Sequence, residues 1–239
     1  YSLFEIGENT IESTLNKIRN KELCGVNVTL PYKQKVIPFV DRLINDAQLT
    51  NSVNTLYIDD RGQLVGENTD VFGLQAAYLK ELENAFVMKA IVIGAGGVSP
   101  SVILSLQKSG VKNISIANRT IEKCIFLKKK FRFLNIIEWK NIKDVLMNFD
   151  IIINATSLGL KNGDDFDFNF EDTKDKLIYI DTIYNPKETK TFKYLREEGR
   201  KVFNGLGTPF CSPFIVTNSS ISSSRLRFSK QTKSTYLNS

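Results

Sequence analysis

"KAIVIGAGGVSPSVILSLQKSG", residues 89–110, runs an apolar stretch into Gly94-Ala95-Gly96-Gly97 and then into sequence with helical spacing. Strand, glycines and helix in that order form the opening unit of a dinucleotide-binding domain. Glycines at such a junction let the backbone turn tightly and approach a pyrophosphate, whose charge the N–H groups and positive end of the following helix stabilise. Pro100 suits a first helical turn, where its missing N–H costs nothing. The spacing departs from G-x-G-x-x-G because Ser99 holds the third position, so an ordinary tight turn remains a competing reading of these residues alone.

The sequence downstream extends the pattern. Apolar runs at "NISIA" (113–117), "NIIEW" (135–139), "FDIIINATSLGL" (149–160), "KLIYIDTIYNP" (176–186) and "GRKVFNG" (199–205) are separated by polar or amphipathic stretches. Such alternation predicts a doubly wound parallel sheet with crossover helices. "NISIA" ends in Asn118-Arg119-Thr120, about twenty residues beyond the glycines, where an acidic side chain would bind the ribose hydroxyls of NAD. This chain offers Arg119, the Thr120 hydroxyl and Lys123 instead, which favours NADP; a surface arginine at a strand end is the alternative. Asn154 to Ser157 and Tyr184 fall at strand ends, the edge where such sheets bind ligands.

Upstream, residues 1–70 read as strand "YSLFEI", helix "TIESTLNKIRN", strand "CGVNVTL", helical segments to about Leu49, and a hairpin in "SVNTLYIDDRGQLVGENTD" with Asp60-Arg61-Gly62 at its turn. A helix from Val71 to about Glu83, with Phe72, Ala76, Leu79 and Leu82 at helical spacing, leads out of this part. The expected division is a smaller α/β domain over 1–70, a Rossmann-type domain over 71–205, and a serine-rich basic tail over 206–239. That tail carries no acidic residue, a composition expected of disorder or a shifted reading frame.

Composition narrows the function classes. The chain has 239 residues and a net charge of +6, but Arg225, Arg227, Lys230 and Lys233 lie in the tail and leave the body nearly neutral. The run "KKKFR" from Lys128 falls where a solvated helix face is expected, so no nucleic-acid partner is anticipated. No apolar run has the length of a membrane span. Cys24, Cys124 and Cys211 lack metal-like spacing, and a reducing cytoplasm is the expected location. The chain holds no histidine, so a proton-moving enzyme would need another donor. Lys33, just after the break at Pro31 in "GVNVTLPYK" (25–33), is the candidate. Its alternative role is to cap a helix beginning at Pro31.

"GVNVTLPYK", "SVNTLYIDDRGQLVGENTD", "VIGAGGVSPSV", "ANRT", "NATSLGL", "DTIYNP" and "NGLG" occur in the order and approximate spacing of shikimate dehydrogenases, which the chain resembles from Tyr1 to Gly207. The resemblance implies an N-terminal substrate domain, a Rossmann cofactor domain, and reduction of 3-dehydroshikimate to shikimate with NADPH in aromatic amino-acid biosynthesis. It implies Lys33 and Asp70 as the catalytic pair, with Thr29, Asn54, Asp70 and Tyr184 toward the substrate. It also implies Gly94, Ala95, Gly96, Gly97 and Val98 as the pyrophosphate loop, Asn118, Arg119, Thr120 and Lys123 as the adenosine-phosphate site, and Gly205 near the nicotinamide. When hydride reaches a ketone carbon the oxygen becomes anionic, and an ammonium beside it stabilises that charge and donates a proton; Asp70 would orient the ammonium. Relative to the family, the chain is expected to begin one βα unit late, without the serine pair that holds the substrate carboxylate, and to end without the usual closing helix. Alternatives are a quinate/shikimate dehydrogenase with relaxed cofactor use and a non-catalytic NADP-binding fragment. Small-molecule substrate is the expected partner, and a homodimer stays open as the assembly.

Overall fold

The computed structural model describes residues 6–29, 31–80, 82–161 and 163–205. The expected strand at 1–6 lies almost wholly outside the described residues, and the expected tail from 206 lies outside them entirely.

The N-terminal part contains α1 (Ile11–Arg19), β1 (Gly25–Asn27), β2 (Arg42–Leu43), α2 (Asp46–Thr50), β3 (Thr55–Ile58), β4 (Leu64–Glu67) and α3 (Asp70–Leu74). Its four described strands lie in the order β1-β3-β4-β2. The hairpin of β3 and β4 pairs Ile58 with Leu64, and its turn is fixed by Asp59, whose Oδ1 accepts the N–H groups of Arg61 and Gln63 at 2.9 Å each. Ile11, Leu15 and Ile18, on one face of α1 by helical spacing, pack with Val36, Ala47, Val53, Leu56 and Leu64 into one core.

Two expectations need correction here. Helical segments were expected up to Leu49, yet Arg42 and Leu43 form β2, paired in parallel with Val65 and Gly66. The helix expected from Val71 to Glu83 starts at Asp70 and widens into a π-helical turn over Gln75–Leu79. Phe72 is 54% exposed, and burial falls on Val71, Leu74, Tyr78 and Leu79. Phe72 and Ala76 are four residues apart and share the outer face instead.

The second part runs β5 (Lys89–Ile93), α4 (Ser99–Lys108), β6 (Asn113–Asn118), α5 (Ile121–Lys130), β7 (Asn135–Glu138), α6 (Ile142–Val145), β8 (Ile151–Asn154), β9 (Ile178–Asp181), α7 (Lys190–Glu197) and β10 (Lys201–Phe203). The six strands are parallel in the order β10-β9-β8-β5-β6-β7. Both faces are covered, which is why the strands read as continuous apolar runs. Ala90, Val92, Ile151 and Ile153 enter one core, while Ile91, Ile93, Ile152 and Tyr179 enter the other. Lys128, Lys129 and Lys130 occupy the last turn of α5, where the helix dipole favours cations. Strand order reverses between β5 and β8, and ligands of such sheets bind in the crevice beyond the strand ends at that point. No described helix is long and apolar enough to cross a membrane.

Candidate active site

Three neighbouring chain segments at one end of the N-terminal sheet bring polar side chains together. β1 continues to Thr29 and a turn in which Tyr32 N–H donates to the Thr29 carbonyl at 2.9 Å, while the Lys33 carbonyl accepts Val53 N–H at 2.8 Å. Asn54, entering β3, is clamped by its backbone between Val28 and Glu67. Asp70 is the first residue of α3, just past the end of β4. The result is a compact triad. Lys33 Nζ donates to Asp70 Oδ2 at 2.7 Å, and Asn54 Nδ2 donates to Asp70 Oδ1 at 2.6 Å.

The triad is buried, with Lys33 8% and Asp70 1% exposed. A desolvated ion pair is costly unless its geometry and remaining hydrogen bonds are good, and Asp70 has both oxygens engaged. Asn54 is fixed in turn, since its Oδ1 accepts Thr69 N–H at 2.9 Å and Thr55 Oγ1–H at 3.0 Å. Lys33 thus sits in a turn rather than on a helix surface, and its ammonium points to a carboxylate 37 residues away in sequence. Thr29 is exposed in the same turn.

The glycine loop lies across the domain junction. Gly94 has φ +115°, and a Cβ there would stand 2.6 Å from the Ala155 carbonyl oxygen and 2.7 Å from its carbon, so the loop passes directly over the end of β8. A Cβ on Gly96 would meet nothing within 4 Å, leaving room for a group to approach the backbone. Ser99 Oγ accepts Gly96 N–H at 3.0 Å and donates to the Gly94 carbonyl at 2.9 Å. The residue that breaks the glycine pattern therefore staples the loop. Ala95 N–H donates to Asn118 Oδ1 at 3.1 Å, and Asn118 Nδ2 donates to the Thr120 carbonyl at 3.0 Å, joining the ends of β5 and β6. Gly97 and Val98 complete the entry into α4. Arg119, Thr120 and Lys123 are exposed beside that junction.

Sequence reasoning missed Trp139. The Arg119 guanidinium lies 5.3 Å from the centroid of its ring, and Trp139 Nε1–H is held by both carboxylate oxygens of Asp167 at 3.1 Å. An arginine resting on an indole face is attracted by the ring quadrupole and loses mobility. A signal was present: Asn118 pairs with Glu138, so the next residues, Arg119 and Trp139, leave adjacent strands side by side.

At the C-terminal ends of β8 and β9 lies a buried polar network centred on Asp181. Its Oδ1 accepts from Asn154 Nδ2 at 3.2 Å and Ile183 N–H at 3.0 Å, and its Oδ2 from Thr189 Oγ1 at 2.7 Å and Tyr179 OH at 3.4 Å. Burial nevertheless raises the carboxyl to about 6, against the lowering effect of those donors. Asn154 Oδ1 in turn accepts from Thr156 Oγ1 at 2.6 Å, setting the loop over which Gly94 passes. Tyr184 is 48% exposed. Gly205 is pressed against the backbone of Thr182 and Ile183, and its N–H donates to the Ile183 carbonyl at 3.1 Å. Burial pushes the Cys124 thiol up to about 11, which makes it a poor nucleophile.

Comparison with known proteins agrees with both halves. Residues 1–56 match the family model "shikimate dehydrogenase substrate binding domain" and residues 77–190 match "shikimate / quinate 5-dehydrogenase". The chain is 40% identical over 201 residues to shikimate dehydrogenase (NADP(+)) of Pelagibacter ubique, covering 84% of this chain and 74% of that one. The chain belongs to the shikimate dehydrogenase family. Among solved structures, shikimate dehydrogenase from Aquifex aeolicus superposes with a TM-score of 0.78 at 34% identity, over 85% of this chain and 74% of that one. Shikimate 5-dehydrogenase from Thermus thermophilus, solved in complex with NADP(H) and shikimate, gives 0.74 at 26% identity over 85% and 75%.

Proposed function

We propose that the chain catalyses the NADPH-dependent reduction of 3-dehydroshikimate to shikimate, with Lys33 and Asp70 as the catalytic pair, residues 1–70 as the substrate domain and 71–205 as the NADP domain. The observation that carries the proposal is the buried Lys33–Asp70–Asn54 triad, of which Lys33 and Asn54 lie within residues 1–56, the stretch that matches the family's substrate domain.

The residues fit NADP. Gly96 leaves the loop backbone approachable, the helix N-terminus at Ser99 favours a pyrophosphate, and Arg119 with Thr120 and Lys123 offers charge and donors to an adenosine phosphate. When bound, NADPH supplies the hydride. As charge develops on the substrate oxygen, the Lys33 ammonium stabilises it and donates the proton. Asp70 Oδ2 keeps Lys33 Nζ in place, and Asn54 stops the carboxylate from rotating by holding Oδ1. Thr29 is assigned to the substrate hydroxyls, and Tyr184 and Gly205 to positions near the nicotinamide and substrate.

The test is shikimate oxidation with NADP+, followed by NADPH absorbance. Lys33→Ala is expected to lower kcat by ~10²–10⁴-fold while NADP+ affinity, set in the other domain, stays unchanged. Turnover in the parent that survives Lys33→Ala would remove Lys33 as the proton donor.

A further inference from the structure

Asn68 has no role in the reading above, yet its side chain is among the most heavily bonded in the protein. It is 4% exposed. Its Oδ1 accepts Asp70 N–H at 3.0 Å, and its Nδ2 faces Thr50 Oγ1 at 3.0 Å, the Ser52 carbonyl at 3.0 Å and Ser101 Oγ at 2.9 Å. The amide has one possible orientation, because Asp70 N–H can only donate and the Ser52 carbonyl can only accept.

These partners come from both halves of the chain. Thr50, Ser52 and Asp70 belong to the N-terminal part, while Ser101 lies in the first turn of α4, the helix that leaves the glycine loop. Ser101 is fully buried. Ser52 makes a second link to the same place, its Oγ donating to the Gly97 carbonyl at 3.5 Å. The two Nδ2 hydrogens serve three acceptors, Thr50 Oγ1, the Ser52 carbonyl and Ser101 Oγ, so a seated α4 competes with the N-terminal acceptors for them, and the seating of α4 and the local geometry at Asn68 bias one another. On its other side Asn68 fixes the residue that starts α3, and that residue is Asp70.

We propose that Asn68 is a positioning residue that couples the nucleotide loop to the catalytic pair: α4 seated on Asn68 through Ser101 holds the start of α3, and with it Asp70 and Lys33, in the arrangement used for proton donation. The inference rests on the functional reading above, which gives the two ends of the link their meaning. Catalysis by a hydride-transferring enzyme depends on the reacting groups being held in a near-attack geometry. Here one half of the chain carries the proton donor and the other the nucleotide loop, so a contact shared between them sets that geometry.

Amide hydrogen exchange on the full chain, with NADP+ as the probe, tests this without requiring turnover. In the parent, NADP+ is expected to slow exchange both in residues 94–104 and in residues 66–74, including the Asp70 amide itself. Ser101→Ala removes one hydroxyl from a helix without disturbing the bond from Asp70 N–H to Asn68, and alanine favours helix. It is expected to keep the protection at 94–104 and lose the NADP+-induced part at 66–74. Asn68→Asp, which keeps an acceptor for Asp70 but loses the amide donors, is expected to do the same. A residue with a purely structural role would change ligand-free exchange in both segments and leave the ligand-induced differences in place. Protection at 66–74 that persists in Ser101→Ala, or that never appears in the parent beside a protected 94–104, overturns the coupling alone. A parent whose 94–104 amides ignore NADP+ overturns the cofactor reading and the coupling with it.

Discussion

Gly94 and Gly96 stand two residues apart, and their replacement by alanine should produce opposite phenotypes. At Gly94 the backbone has φ +115°, a region L-residues occupy at a cost of about 1–3 kcal/mol. The added Cβ would also stand 2.6 Å and 2.7 Å from the carbonyl oxygen and carbon of Ala155, backbone atoms next to a central strand that cannot swing aside. Forcing an atom into such a packed position costs about 1–3 kcal/mol more. The sum, about 4 kcal/mol, corresponds to a fall in Tm of roughly 10 °C for a chain of this size.

Gly96 is outside the left-handed region, and its Cβ would meet no protein atom within 4 Å, so Gly96→Ala should change stability by less than about 0.5 kcal/mol. The same methyl would occupy the face of the loop through which a pyrophosphate reaches the backbone, and NADP+ affinity should fall about tenfold, or ~1.4 kcal/mol. Thermal melts and nucleotide titration of both variants make the comparison. A Gly94→Ala protein that melts with its parent would refute the close approach to β8. A Gly96→Ala protein with parental affinity would refute the assignment of the loop to the nucleotide.

Arg119→Asp should lower NADP+ affinity while leaving NAD+ binding equal or stronger, and Trp139→Leu, which removes the surface on which Arg119 rests, should lower the NADP+/NAD+ affinity ratio more weakly; equilibrium titration with both nucleotides reads the ratio. Burial lifts the Asp181 carboxyl from 3.8 to about 6, so the folded state binds more protons than the unfolded one between those values. Its contribution to stability is therefore complete below about 3.8 and lost as pH rises through 6, amounting to about 3 kcal/mol. Urea denaturation across that window should give a parent curve that falls relative to Asp181→Asn, and parallel curves would show that Asp181 does not titrate there.

The parallel sheet was legible because its strands are buried on both faces, which forces runs such as Ala90 to Ile93 and Ile151 to Ile153 to be apolar throughout. Lys33, Asn54 and Asp70 were legible through the order of the motifs that contain them. β2 was not, since two residues held by one parallel pairing carry no periodicity. The outward turn of Phe72 was misread because helical spacing alone does not say which of two stripes faces inward, and neighbours in α4 decide it.

What stayed hidden follows a physical pattern. Hydrophobic periodicity reports the burial of one element at a time, so it can place the core of each half but says nothing about how the halves meet. Beside the apolar core that Val71 and Leu74 of α3 share with Val102, Ile103 and Leu106 of α4, the junction carries polar links: Asn68 to Ser101 at 2.9 Å, Ser52 to Gly97 at 3.5 Å, and Lys108 to Asp46 at 2.5 Å. Serine, asparagine and lysine are also the common currency of loops and helix surfaces, so none of them stands out in the sequence. The exposed pair of Lys108 and Asp46 contributes little, since surface ion pairs are typically worth about 0–1 kcal/mol. Asn68 and Ser101 are both buried, and a buried polar group that loses its partner costs about 1–3 kcal/mol. Among these polar links the weight therefore falls on the contact that ends at the Asp70 backbone. Under the proposed reading, in which one half of the chain carries the proton donor and the other the nucleotide, that contact is placed to set their separation.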